Sequence, residues 1–233
     1  TPDQAYKFAK GEELSIGPYK DGKPTRKIQL RRPLDFAIVT DHAEFFGESV
    51  LCEDPKSPGY NSNECETYRE GGENGFFAFN FLNGAEQHRV SRFGFCDDEA
   101  FSCEQKSSII WQEMQDMAAK HYDQTAACNF TTFVGYEWTA SPVQEGKAKN
   151  LHRNVIFANE QVPSIPISYL DAPYQENLWD ALDAYCINTD TGCDALAIPH
   201  NSNLSASRMF ESFDAEQNNH DSQRKSQRNR IEP

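Results

Sequence analysis

Between Phe36 and Val39 four apolar residues stand side by side, FAIV, with no polar residue between them. A strand packed on one face would alternate, so this run predicts a parallel strand over residues 34–39 that is covered on both faces. Residues 194–199 (DALAIP) repeat the signal and predict a second buried strand. Residues 131–136 (TTFVGY) are β-branched and aromatic, and residues 154–158, inside NLHRNVIFAN, add another strand. Elsewhere the period lengthens. Ile110, Met114, Met117 and Ala118 recur on one face of a helix predicted over 107–122, as do Leu178, Leu182 and Tyr185 over 176–186. Thr1 as N-cap and Pro2 at the first helical position open a short helix that carries Ala5, Phe8 and Ala9 on one side and stops at Gly11.

Turn residues punctuate the rest. The Gly, Pro and Lys content of 16–27 predicts an exposed hairpin or loop. Residues 47–76, with Pro55, Pro58, Gly59, Gly71 and Gly72, predict a polar insertion of the lid or anchored-loop kind. Phe76, Phe77, Phe79, Phe81, Phe93 and Phe95 read as core packing, and the tail from Phe213 as a solvated helix. No repeat interrupts 1–233, so one domain is expected, its ends resembling cuts through a longer chain.

Composition narrows the classes. At 38% hydrophobic residues and a mean hydropathy of -0.74, no window approaches the roughly 20 apolar residues of a membrane span. A net charge of -14, from 36 acidic and 22 basic residues, argues against a nucleic-acid groove, with room for a local pocket for one phosphate. The seven cysteines include three close pairs in polar loops, Cys52 with Cys65, Cys96 with Cys103 and Cys186 with Cys193. None has zinc-knuckle spacing, so they predict three disulfide loops and an oxidising compartment, periplasmic or secreted. Cys128 is left over, as a buried thiol or one paired outside the chain.

Chemistry gathers where the strands stop. Asp41, His42 and Glu44 follow the first run, Glu137 follows TTFVGY, and His200, Asn201 and Asn203 follow DALAIP. The carboxyl ends of strands are where α/β folds build sites. The plain alternative is Asp41 as an N-cap and His42 as a loop residue. His152 precedes its strand, and it joins the same rim if the Glu137 and His152 strands are antiparallel neighbours. Imidazole and carboxylate ligate zinc, manganese and iron, and a carboxylate can bridge two cations that together activate a water. Arg153 offers planar donors to a phosphate oxygen, or else forms a surface ion pair. His88, His121 and His220 lack this context and default to surface or packing roles.

In order along the chain, Thr40-Asp41-His42, Gly135-Tyr136-Glu137, Leu151-His152 leading a strand that ends Ala158-Asn159, and Pro199-His200-Asn201 resemble the middle motifs of the PHP (polymerase and histidinol phosphatase) superfamily. Among its branches the likeness is nearest to a bacterial, often exported PHP-like family of unknown function, and it covers most of the chain. The resemblance implies an α/β fold, a distorted (β/α)7 barrel incomplete at both ends, with two or three divalent ions (Zn, Mn or Fe) at the strand ends. It implies His42, Glu137, His152 and His200 as metal ligands, Glu137 bridging, with Asp41 beside them. The His-x-His pair that opens the superfamily pattern and the Asp-x-His pair that closes it do not occur, and are expected in flanking segments unless the barrel is degenerate. The expected function is a metal-dependent, phosphoesterase-like hydrolase using Asp41 and Arg153 on a small-molecule substrate, a phosphate ester being the first candidate. A hydrolase of a non-phosphate bond and a non-catalytic, disulfide-stapled binding domain are the alternatives.

Overall fold

The structure, a computed structural model, describes residues 1–72, 74–75, 79, 91–144, 147–202, 204–212 and 218–232. Phe76, Phe77, Phe81, His88, Asn203 and the first part of the predicted tail helix lie outside the described residues.

Helix α1 (Pro2–Ala9) begins with the capping box of Thr1 and Gln4. An exposed antiparallel hairpin follows, β1 (Leu14–Lys20) with β2 (Lys23–Ile28). Strand β3 (Phe36–Ile38) leads into α2 (Phe46–Glu53) and α3 (Asn63–Glu70), two short helices where the sequence predicts only turns. Helix α4 (Cys103–His121) starts earlier than its apolar period because Ser102 caps it, accepting from the Gln105 N–H. Strands β4 (Thr131–Phe133) and β5 (Gly135–Trp138) come next, then a small hairpin of β6 (Val143–Gln144) and β7 (Lys147–Ala148), then β8 (Arg153–Phe157). Helix α5 (Gln175–Leu182) continues into a π-helical turn, Asp183–Ile187, before β9 (Ala195–Pro199) and the closing α6 (Ser222–Ile231).

β3 lies parallel to β4, while β8 lies antiparallel to both β5 and β9. An isolated parallel bridge between His42 and Glu137 continues the β3–β4 register and brings the two sheets together. This overturns the expected (β/α)7 barrel. Such a barrel needs parallel neighbours joined by helical crossovers. Among the described residues β5 returns to β8 through the β6–β7 hairpin with no helix between them, and the sheets stay at two or three strands with no closure.

The two apolar runs prove to be covered on one face only. Ala37 packs on the core while Phe36 is 60% exposed, and in β9 Ala195 and Ala197 are buried while Leu196 and Ile198 are about 40% exposed. Both strands are outer members of their sheets, so an unbroken apolar run here marks an edge rather than a sandwich. The buried face carries Tyr136, Trp138, Val155 and Phe157 against Trp111, Met114 and Ala118 of α4 and Leu178, Trp179 and Leu182 of α5.

All three predicted disulfides are present. Cys52–Cys65 clamps α2 to α3, and with Phe79 and Phe93 it forms a separate small core. A Cβ on Gly47 would fall 1.7 Å from the Cys103 carbonyl oxygen, so only glycine allows α2 to meet the start of α4. Cys128 is free and exposed rather than buried. His121 and His220 are both buried. Among the described residues no helix is long and apolar enough to cross a membrane.

Candidate functional site

Strand alternation places the site. Tyr136 and Trp138 are fully buried, the Tyr136 hydroxyl accepting from the Ile167 N–H at 3.2 Å and the Trp138 indole donating to the Ala172 carbonyl at 2.9 Å. With both neighbours anchored in the core, Glu137 between them must leave by the other face. In the same way Arg153 and Val155 are buried, which sends His152 and Asn154 outward. Backbone bonds lock the rim: the Glu137 N–H donates to Asp41 O, Ala43 N–H to Glu137 O, and His200 N–H to His152 O.

Glu137 is the centre. Its Oε1 lies 2.8 Å from His152 Nδ1 and 3.9 Å from His42 Nδ1, while the His152 ring stands 5.9 Å from the rings of both His42 and His200. At 2.8 Å the His152 imidazole is in close polar contact, and the buried Oε1 accepts no well-aligned hydrogen bond from a described residue. Burial pushes the Glu137 carboxyl up, but the imidazoles of His152, His42 and His200 outweigh it and hold it below its ordinary value.

Hydroxyls steady the imidazoles. Thr139 Oγ1 is 2.6 Å from His42 Nδ1, and Ser141 Oγ is 3.0 Å from His152 Nε2. These contacts leave His42 Nε2 and His152 Nδ1 as the nitrogens able to accept a cation. Thr139 is itself held by Glu44, whose Oε1 accepts from the backbone N–H groups of Thr139 at 2.8 Å and Tyr169 at 3.0 Å. Glu44 is fully buried and burial pushes its carboxyl up, so it supports the rim from beneath.

The structure therefore brings His42, Glu137, His152 and His200 together, with Asp41 exposed next to His42. It does not bring Arg153. That guanidinium is buried on the opposite face, where Nε donates to Glu232 at 2.8 Å and the terminal nitrogens donate to Leu151 O, Gln175 Oε1 and Met209 O. Alternation along β8 sets Arg153 opposite His152, and the same period of two links Glu137, Thr139 and Ser141, a signal by which both hydroxyls could have been found.

Among the described residues a single group sets three donor atoms within 4.8 Å, and it is not the rim but Glu48 with Cys96 and Cys103. Both sulfurs are tied in a disulfide, which leaves no thiolate for a metal. The rim donors spread wider than that group, and its imidazole and carboxylate chemistry suits zinc, manganese or iron. Glu44 Oε2 and Glu232 Oε2 are likewise buried without a hydrogen-bond partner among the described residues, and Glu137 Oε1 differs from them in lying among imidazoles, the feature that fits a cation.

One family model matches the chain across residues 1–233, described as "Protein of unknown function (DUF3604)". No curated protein and no solved structure matches it. The family match overturns the PHP assignment, since no PHP domain is matched along the same residues. Short His and Glu motifs after strands recur on unrelated folds, and here they came without the barrel.

Proposed function

Since the chain belongs to the DUF3604 family, of unknown function, we propose from geometry alone that it is a metal-dependent hydrolase of a small molecule, with His42, Glu137, His152 and His200 as the cation site. The observation that carries the reading is Glu137 Oε1, buried beside the imidazoles and accepting no well-aligned hydrogen bond from a described residue. A buried carboxylate oxygen facing several imidazoles is a donor set that a divalent cation can complete. A bound divalent ion would supply Lewis acidity and a more acidic water. The chain's own part is to hold His42 through Thr139 and His152 through Ser141, and to present Asp41, exposed beside the rim, as a proton acceptor. A phosphate ester is the first substrate class to test, and a non-phosphate ester the second.

Three disulfides support an oxidising compartment, periplasmic or extracellular, and the net charge of -14 speaks against nucleic acid as partner.

The test is metal content by inductively coupled plasma mass spectrometry after reconstitution with Mn, Zn or Fe, followed by a panel of phosphate and carboxylate esters. Wild type should hold at least one equivalent that Glu137→Gln and His152→Ala both lose. If Glu137→Gln keeps wild-type metal, the site is wrong. A wild type that binds none favours the binding-domain reading, for which the exposed Phe36, Leu196 and Ile198 would be the contact.

A further inference from the structure

Asn154 occupies a position that the cation site does not use. In the β5–β8 register it stands directly opposite Glu137, and it follows His152 by two residues, so its side chain shares their open face. Thr40, two residues before His42, donates from Oγ1 to Asn154 Oδ1 at 2.9 Å. That bond passes over Gly135. A Cβ there would meet the Val155 carbonyl oxygen at 2.7 Å, Ile38 Cγ2 at 3.1 Å and Thr40 Cγ2 at 3.2 Å. Glycine thus lets Thr40 lean across β5 to grip an amide on β8. With Oδ1 held, the Asn154 NH2 turns away from Thr40, and no hydrogen bond from Nδ2 to a described residue accompanies the Thr40 contact. The residue is half-buried beside the rim, where such a donor remains within reach of a ligand.

We infer that Asn154 is the anion donor of this site, its amide N–H binding an oxygen of a phosphoryl group held at the rim, with Thr40 as its positioning residue. The inference rests on the hydrolase reading and adds a substrate contact to it. An amide donor is neutral, and the Glu137 carboxylate beside it repels an anion. Phosphate should therefore bind only when a cation has offset Glu137, which makes anion binding conditional on metal. A hydrogen bond to a charged oxygen is worth roughly ten- to a hundred-fold in affinity.

The measurement is isothermal titration of inorganic phosphate into the full chain, with and without Mn, alongside metal content. Wild type should bind phosphate only with Mn present. Asn154→Ala should hold the same Mn yet bind phosphate at least ten-fold more weakly, and Asn154→Asp more weakly still. Thr40→Val, which keeps the amide but frees it, should lose a few-fold, and it stands in should the Asn154 variants not fold by circular dichroism. Wild-type phosphate affinity in Mn-loaded Asn154→Ala overturns the assignment. Mn-loaded wild type that takes no phosphate also overturns it while leaving the metal site intact. Wild type that takes no Mn removes the hydrolase reading and this inference together.

Discussion

His152 and Arg153 are consecutive residues at the start of one strand, and they serve opposite faces of the same sheet. On the front, His152 and Glu137 face each other at 2.8 Å, and among the described residues the Glu137 oxygen accepts no well-aligned hydrogen bond. Behind them Arg153 is saturated: Glu232, Gln175, Leu151 and Met209 take its donors, and the Trp138 ring lies 5.7 Å from the guanidinium carbon. Glu232 also accepts from the Trp179 indole at 2.9 Å, so the residue after α6 is drawn into the core. A polar group whose partners are complete holds a fold together. A buried carboxylate oxygen left incomplete among imidazoles is open to a ligand that finishes it.

The contrast can be broken most severely from behind. Replacing Arg153 by Leu leaves buried Glu232 with only the longer Arg228 ion pair, at 3.4 Å, and should cost about 3 kcal/mol in urea unfolding. Arg153→Lys should recover little of it, because one ammonium cannot reach the separate acceptors that the planar fork satisfies. A loss below about 1 kcal/mol would mean that the back network is not what holds α6. Away from both faces, removing Cys52–Cys65 by paired alanines should cost about 3 kcal/mol, as expected for a short closed loop, and should leave metal content unchanged if the small core around it is independent of the rim.

The front should respond in the other currency. Thr139→Val and Ser141→Ala should weaken metal affinity roughly 10- to 100-fold while leaving the unfolding midpoint nearly in place. Competition against a chelator reads the first quantity and urea the second. A large stability loss with unchanged affinity would make these hydroxyls part of the scaffold.

The smallest effect lies on the outer side of α6, where Arg224 pairs with Asp180 and Arg230 with Asp183. The hydrogen bond from Arg224 holds the Asp180 carboxyl below its ordinary value despite partial burial. A depressed carboxylate stabilises the fold above its unfolded pKa, about 4, and that contribution disappears as pH falls through the folded value. The pair is half-exposed, so Asp180→Asn should cost no more than about 0.5–1 kcal/mol at pH 7, with the two curves converging in acid. A gap that widened in acid would reverse the sign.

What could be read without coordinates was local. The three disulfides followed from cysteine spacing, since sulfurs a few residues apart in polar turns close short loops easily. The rim residues were legible as a group because each sits within a residue or two of a strand end, and a strand fixes where its neighbours point. Alternation also contained the fate of Arg153, which must oppose His152. It did not contain what fills the space behind: Glu232 lies 79 positions away and meets Arg153 only because α6 packs there.

The architecture was decided in three dimensions. Whether the 194–199 run would be buried or form an edge, and whether β8 would lie parallel or antiparallel to its neighbours, depends on which strands stand alongside. Nothing within a strand records that. The same holds for Thr40 and Asn154, brought together over a glycine from 114 residues apart. By itself, then, the sequence determined which residues could bond a metal and which cysteines could pair, because those are properties of side chains and short spans. Tertiary structure alone decided which face each strand covered and which long-range partner each buried polar group met, because pairing and packing belong to the whole chain.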